Sequence, residues 1–255
     1  MGRKKKRGSV AKTLLKSLVF LVVLCVAGYY IKSYLMAPVS YKYPEFGIDI
    51  PSNYPIHGID VSKYQSVIDW EDVKSMNVQN IRINFAYIKA TEGIDLVDEQ
   101  FRRNWLETDD YGITKGAYHY FIAGESGKKQ ARNFINIVEL KKGDLPPVLD
   151  IEKNNGINPA EMNKEIGEWL NAVEHHYQTT PIIYSNLEYY SKYIRGAFDE
   201  YPIWIAHYLR PFKPGVENWT FWQHSEKGRV DGIKNHVDFN VFSGDSLDFQ
   251  ELLVK

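Results

Sequence analysis

The sequence predicts an α/β protein: a modified TIM-like barrel with eight strands and five helices, preceded by one N-terminal transmembrane helix. Three observations carry this. Eight short runs rich in β-branched and aromatic residues recur along residues 56–242. Helical patterns separate only the first six of them. A single uncharged apolar stretch lies near the N-terminus.

The strand candidates are 56–61 (IHGIDV), 82–90 (RINFAYIKA), 114–121 (TKGAYHYF), 146–152 (PPVLDIE), 181–186 (PIIYSN), 202–208 (PIWIAHY), 219–225 (WTFWQHS) and 236–242 (HVDFNVF). Between the first six, helices are expected over 69–76, 98–111, 126–141, 158–177 and 187–198. Ala131, Phe134, Ile135 and Val138 share one face of the third of these. Asn158-Pro159-Ala160-Glu161 reads as a capping box with proline in the first turn. The gaps 209–218 and 226–235 are short and carry Pro211, Pro214, Gly215, Gly228 and Gly232. A parallel crossover needs about a dozen residues or more, so these gaps are expected to be loops joining antiparallel strands.

Residues 1–36 carry eight basic residues and no acid. The remaining 23 basic residues face 32 acids, a net of −9. An acidic folded part excludes nucleic acid as the expected partner and gives no general pull toward an anionic wall. The lone cysteine, Cys25, lies in the apolar run, so the folded part has neither a disulfide framework nor a cysteine-ligated metal.

The division expected is a basic cytoplasmic tail (1–12), a transmembrane signal anchor (13–36), a stiff proline-bearing linker (37–54) and the folded barrel domain (55–255). Ser17–Ile31 is uncharged, Lys16 and Lys32 can snorkel, and Tyr29, Tyr30 and Tyr34 suit an interfacial belt. The competing reading is a cleaved signal peptide, for which Val26-Ala27-Gly28 is a poor cleavage site. A lipoprotein reading at Cys25 lacks the small residues that should precede it. With the positive cluster inside, the C-terminal domain lies outside the bacterial cytoplasmic membrane.

Active residues of a β/α barrel sit at the C-terminal ends of its strands. Polar residues gather there: Asp60, Glu92, His119, Tyr120, Asp150, Glu152, Tyr184, Gln223, His224 and, within the eighth strand, Asp238. Asp150-Ile151-Glu152 is the most informative triplet. Residues two apart on a strand share a face, roughly 6 Å apart along it. Crowded carboxylates raise each other's pKa, the arrangement by which a glycosidase keeps one carboxyl protonated and another ionised. A lone Asp-x-Glu is better explained as a solvated strand end; Asp60 and Asp238 at other strand ends tip the balance toward a site. Tyr64, Tyr118, Tyr120, Tyr184, Trp204, Tyr208 and Trp222 offer ring faces for sugars, although barrel core is the commoner explanation of any one of them. His57 and His207 read as core residues and His175-His176 as a solvated face. Asn218-Trp219-Thr220 is a sequon in form only. No phosphate loop, dinucleotide fingerprint or Ser-His elbow is present.

His57-Gly58-Ile59-Asp60-Val61-Ser62-Lys63-Tyr64-Gln65, followed by Ile68-Asp69-Trp70, resembles the opening of the family-25 glycoside hydrolases. The resemblance continues in order through residues 88–93 (IKATEG), 116–121 (GAYHYF), 149–152 (LDIE), 183–185 (IYS), 204–208 (WIAHY), 221–223 (FWQ) and 237–242 (VDFNVF). It implies a barrel with three final strands that lack helices. It implies hydrolysis of the β-1,4 bond between N-acetylmuramic acid and N-acetylglucosamine in peptidoglycan, a lysozyme-type activity, with retention.

In that reading Glu152 is the general acid. Asp150 holds the acetamido group or steadies the developing cation, and Asp60 and Asp238 are the other active-site acids. The expected substrate-binding residues are Tyr64, Glu92, Tyr118, Tyr120, Tyr184, Trp204 and Gln223. No cofactor or metal is expected. The expected partners are peptidoglycan glycan strands and, through the N-terminal helix, the membrane; the chain is expected to be a monomer serving wall turnover or remodelling. His224 stands where the family often has Tyr, a departure expected to alter the cleft rim or local pKa values. A chitinase-like enzyme would place further Asp residues at Leu145 and Val148, which counts against it. A non-catalytic peptidoglycan-binding module on the same fold is the rival from another class.

Overall fold

The computed structural model describes residues 4–35, 39–208, 216 and 218–255. The chain divides into an N-terminal segment ending at Val39 and a body beginning at Ser40. The segment is one helix, α1 (Lys4–Leu35). Within it Ala11–Lys32, 22 residues of mean hydropathy 2.2, is long and apolar enough to cross a membrane. The expected end of the anchor, Met36, and Pro38 of the expected linker lie outside the described residues.

The linker expectation over 37–54 is corrected. Strands β1 (Ser40–Tyr43) and β2 (Ile48–Pro51) pair antiparallel. Gly47 closes the turn at φ +69°, a conformation glycine adopts without a Cβ penalty. Phe46, Ile48 and Ile50 are buried in the core of the body. The Phe46 ring meets Phe239 edge-on at 5.3 Å, and its carbonyl accepts the Arg229 N–H at 2.9 Å. Two prolines in this stretch mask an alternating pattern that buries one face.

Eight strands close the barrel: β3 (His57–Val61), β4 (Ile83–Glu92), β6 (Thr114–Tyr120), β7 (Val148–Ile151), β8 (Ile182–Asn186), β9 (Ile203–Ala206), β10 (Trp219–Gly228) and β11 (Val237–Phe242). The two-residue β5 (Leu96–Val97) folds back on the end of β4. The order runs β3-β11-β10-β9-β8-β7-β6-β4, and pairing of β3 with β4 completes the ring. The expected helices correspond to α2 (Trp70–Ser75), α3 (Phe101–Asp110), α4 (Gly127–Ile137), α5 (Pro159–Tyr177) and α6 (Leu187–Tyr189), which continues as a π turn over Tyr190–Ile194. A further helix, α7 (Ser246–Leu252), follows the last strand, opened by the reciprocal cap of Asp245 and Asp248.

One expectation about the final strands is corrected. Strand β9 pairs parallel with β10; only β11 is antiparallel, to β10 on one side and β3 on the other. Residues 207–218 between β9 and β10 reach the length a parallel crossover needs. The loop expected over 209–218 lies mostly outside the described residues.

Apolar residues form two layers. One lies between strands and helices and includes Trp70, Phe134 and Trp169. The other fills the barrel below its mouth, with Phe85, Tyr87, Trp204 and Phe221, closed by Phe249 of α7. Replacing Phe46 by Ala leaves a cavity against Phe239. We expect a loss of about 3–5 kcal/mol, read as a lower urea midpoint by near-ultraviolet circular dichroism.

Candidate active site

Period two along each strand builds the site. On β4 the face that presents Phe85 and Tyr87 to the barrel interior next presents Lys89. On β7 Val148 is followed by Asp150, on β8 Ile182 by Tyr184, and on β10 Phe221 by Gln223. Each of these strands therefore turns from apolar to polar toward its C-terminal end. Strand β11 runs the other way, so its beginning reaches the same mouth. Asp238 stands directly opposite Asp60 across the β11–β3 ladder.

The mouth is a cavity of about 280 Å³. Asp60, Asp150, Glu152 and Asp238 all line it, as do Tyr64, Tyr118, Tyr120, Tyr184, Trp204 and Gln223. Tyr64 is 71% exposed and stands at the rim, its carbonyl accepting from the Asn235 side chain at 2.6 Å. Trp204 belongs to the floor: its ring packs on Tyr87 at 4.8 Å and on Tyr184 at 4.9 Å.

Glu92, expected to bind substrate, is not among the cavity-lining residues. It lies at the end of β4, and its carboxylate accepts from Lys89 Nζ at 2.6 Å. His224 is also corrected as a rim residue. It is buried on the outer side of β10, with its ring near Trp222 and Phe239. Alternation sends Gln223 inward and its neighbour outward.

Two charged residues join the cavity that sequence reasoning missed. Lys89 is 9% exposed, with its ammonium 4.7 Å from the centre of the Tyr120 ring. Period two from Phe85 and Tyr87, which puts Lys89 on the inward face, was the available signal. Glu226 reaches the cavity because β10 carries irregularities on both sides of Ser225 against β11, and a bulge re-aims side chains. No simple alternation would have found it.

The electrostatics follow from burial. Loss of water pushes Asp60 up to about 6, against the pull of hydrogen bonds from Asn240 and Gln223. Burial, then Asp60 and Glu226, push Asp238 up to about 9. Asp150 is raised by burial and by Glu152 and Asp60, with Lys89 opposing. Glu152 is raised by burial, while Lys153, the Tyr120 hydroxyl and Lys89 draw it back. The site thus holds protons near neutral pH and retains anionic character, the combination that general acid catalysis needs. Asp150 Oδ1 is buried with no hydrogen-bond partner among the described residues.

His119, at the end of β6, does not line the cavity. Its ring nitrogens bond Thr91 Oγ1 at 2.7 Å and Gln130 Oε1 at 3.1 Å. Burial lowers its pKa to about 3, so it is a neutral strut. Among the described residues, no group of His, Cys, Asp and Glu could hold a metal ion.

The family model described as glycosyl hydrolases family 25 matches residues 59–233. The chain is 47% identical over 217 residues to an uncharacterized protein, YegX, of Escherichia coli K12, covering 84% of this chain and 78% of that one. It is 35% identical over 209 residues to Lysozyme M1 of Streptomyces globisporus, covering 74% and 68%. Among solved structures, a family 25 glycosyl hydrolase from Bacillus anthracis superposes with a TM-score of 0.73 at 33% identity, covering 83% of this chain and 99% of that one. The barrel with one reversed strand, its acid-lined mouth and these likenesses agree: the chain belongs to glycosyl hydrolase family 25 and is a glycoside hydrolase of the lysozyme type.

Proposed function

We propose that the enzyme hydrolyses the β-1,4 bond between N-acetylmuramic acid and N-acetylglucosamine in peptidoglycan, with net retention, and serves turnover or remodelling of the cell wall. The observation that carries this is the pair Asp150 and Glu152 at the end of β7, facing Asp60 and Asp238 in one cavity. The lysozyme from Streptomyces globisporus supports the substrate class.

Glu152 is the general acid. It is only partly buried, its pKa is raised, and it gives its proton to the leaving glycosidic oxygen. The open acceptor at Asp150 Oδ1 suits the N–H of a substrate acetamido group. Held there, the acetamido oxygen can attack the anomeric carbon, which accounts for retention. Tyr64 and Tyr120 offer faces for sugar rings.

The helix α1 anchors the chain in the bacterial cytoplasmic membrane, with the basic cluster inside and the barrel outside. The catalytic part then begins at Ser40 rather than at residue 55, because the hairpin β1–β2 packs into its core. The enzyme acts as a monomer.

The full chain in detergent, incubated with purified peptidoglycan, should release new reducing ends on N-acetylmuramic acid. Glu152→Gln should lower the rate by about 10²–10⁴-fold while wall binding survives. Equal binding with no new ends from the parent would establish a binding module instead. The first anomer formed should be β; an α product means inversion.

The pH profile should be bell-shaped. Activity falls as pH drops through about 6, where Asp60 takes up a proton, and falls again as pH rises and Glu152 loses its own. A profile flat between pH 4 and 9 would contradict these roles. Carbonate washing of cell membranes should leave the chain in the pellet, and externally added protease should remove the barrel from spheroplasts. A carbonate-soluble chain rules out the anchor.

A further inference from the structure

Asp60 is only 8% exposed, yet its polar neighbours are arranged for a carboxylate. Its Oδ2 accepts from Asn240 Nδ2 at 2.7 Å and from Gln223 Nε2 at 2.9 Å. An amide can be turned round, so those bonds alone leave open which end faces the acid. Trp204 decides it for Asn240. An indole N–H only donates, and it lies 2.8 Å from Asn240 Oδ1. The amide nitrogen is therefore left for Asp60.

Gln223 also donates to Oδ2, while its Oε1 lies 2.8 and 2.5 Å from the Tyr184 and Tyr208 hydroxyls, groups that can donate or accept. The Asn240 amide, fixed by Trp204, presents only N–H to Oδ2, and a proton on that oxygen would set hydrogen against hydrogen. Asn240 itself is fully buried and does not line the cavity, so substrate does not reach it.

We infer that Asn240, oriented by Trp204, is a positioning residue that keeps Asp60 an ionised carboxylate, so that Asp60 stabilises positive charge at the sugar while Glu152 carries the proton. The inference rests on the glycosidase reading of the site. The charges that oppose it come from Asp238 across the ladder on β11 and from Asp150 and Glu152 at the end of β7. Tyr118 of β6, Tyr184 of β8 and Tyr208 after β9 face the same carboxylate and are kept neutral by burial. Lys89 of β4 is the one cation lining the cavity among the described residues; it pairs with Glu92 and acts on Asp150 and Glu152 rather than on Asp60. With so little positive charge available, the two amide donors, of which Asn240 is fixed by Trp204, are the main opposition to protonation of Asp60. Removing one raises the pH at which Asp60 takes a proton.

The test uses the full chain in detergent and two variants, Asn240→Asp, which keeps the shape, and Trp204→Phe, which keeps an aromatic ring but frees the amide to turn. Two quantities are followed from pH 4 to 9: kcat and KM on peptidoglycan, and the carboxyl 13C shift of Asp60 in protein without substrate, assigned with Asp60→Asn. For Asn240→Asp the acid limb of kcat/KM should move up by a unit or more, about a tenfold loss on the acid side. Activity should recover to within a few-fold at the alkaline shoulder, with KM little changed. Asn240→Asp also adds an acid beside Asp60, so Trp204→Phe is the deciding variant: it should move the limb the same way by less, and a limb that moves in Asn240→Asp alone overturns the inference.

A limb that stays in place in both variants, or a loss equal at every pH, overturns the inference. The 13C titration decides independently of turnover. If it shifts while the parent cuts no glycan, the positioning role stands and the enzymatic reading fails. If it does not shift, the positioning role fails whatever the activity. Should Asn240→Asp not fold, Trp204→Phe alone decides by the same two readouts.

Discussion

Among the described residues, five carboxylates and a single lysine share one barrel mouth, and most of the architecture follows from carrying that charge out of bulk water. An isolated buried carboxylate is too costly to stay ionised; it takes a proton or finds donors. Both solutions occur here. Asp238 is pushed toward protonation by burial first and then by Asp60 directly opposite, because like charges facing each other in a ladder repel. Asp60 instead gathers two amide donors from β10 and β11. The division of labour among chemically similar acids is thus set by which neighbours donate.

That arrangement needs the reversal of β11. A parallel eighth strand would carry Asp238 toward the floor and leave Asn240 in the wrong register for Asp60. It also needs a floor that does not move. Gly58 and Gly116 leave room for the rings of Phe85 and Tyr87, which a Cβ at either position would strike. Those rings, with Trp204 and Phe221, fill the barrel under the acids. Trp204 serves both layers: its faces pack in the floor and its N–H sets the Asn240 amide above.

The eight strands were legible because each is a short run of β-branched and aromatic residues ended by turn formers. Four acids and six of the expected binding residues line one cavity for the same reason: the ends of barrel strands converge. What escaped was set by local irregularity or by contacts distant in sequence. The bulged part of β10 redirects Glu226, and Glu92 is drawn aside by Lys89, three residues earlier on the same strand. Residues 40–51 read as a linker because Pro44 and Pro51 suggest stiffness, whereas burial of Phe46, Ile48 and Ile50 decides their place. The cap that opens α7, Asp245 with Asp248, was in the sequence and went unread.

Charge also bears on how such an enzyme would meet its substrate. The chain beyond residue 36 carries a net −9, and the described lining of its cleft holds five acids and one lysine. An anionic wall polymer would repel it at low salt, over roughly 10 Å at 0.1 M ionic strength. Long-range steering, the usual aid to a diffusing enzyme, would work against this one. A membrane tether reverses the balance. It replaces diffusional encounter with an effective concentration that reaches about the millimolar range for short flexible linkers. Repulsion then limits binding weakly, and the acids of the cleft can be tuned for proton transfer rather than for attraction. In the proposed anchored topology the acidic body and the apolar helix α1 are complementary: an embedded helix would supply the proximity that the charge of the catalytic part withholds.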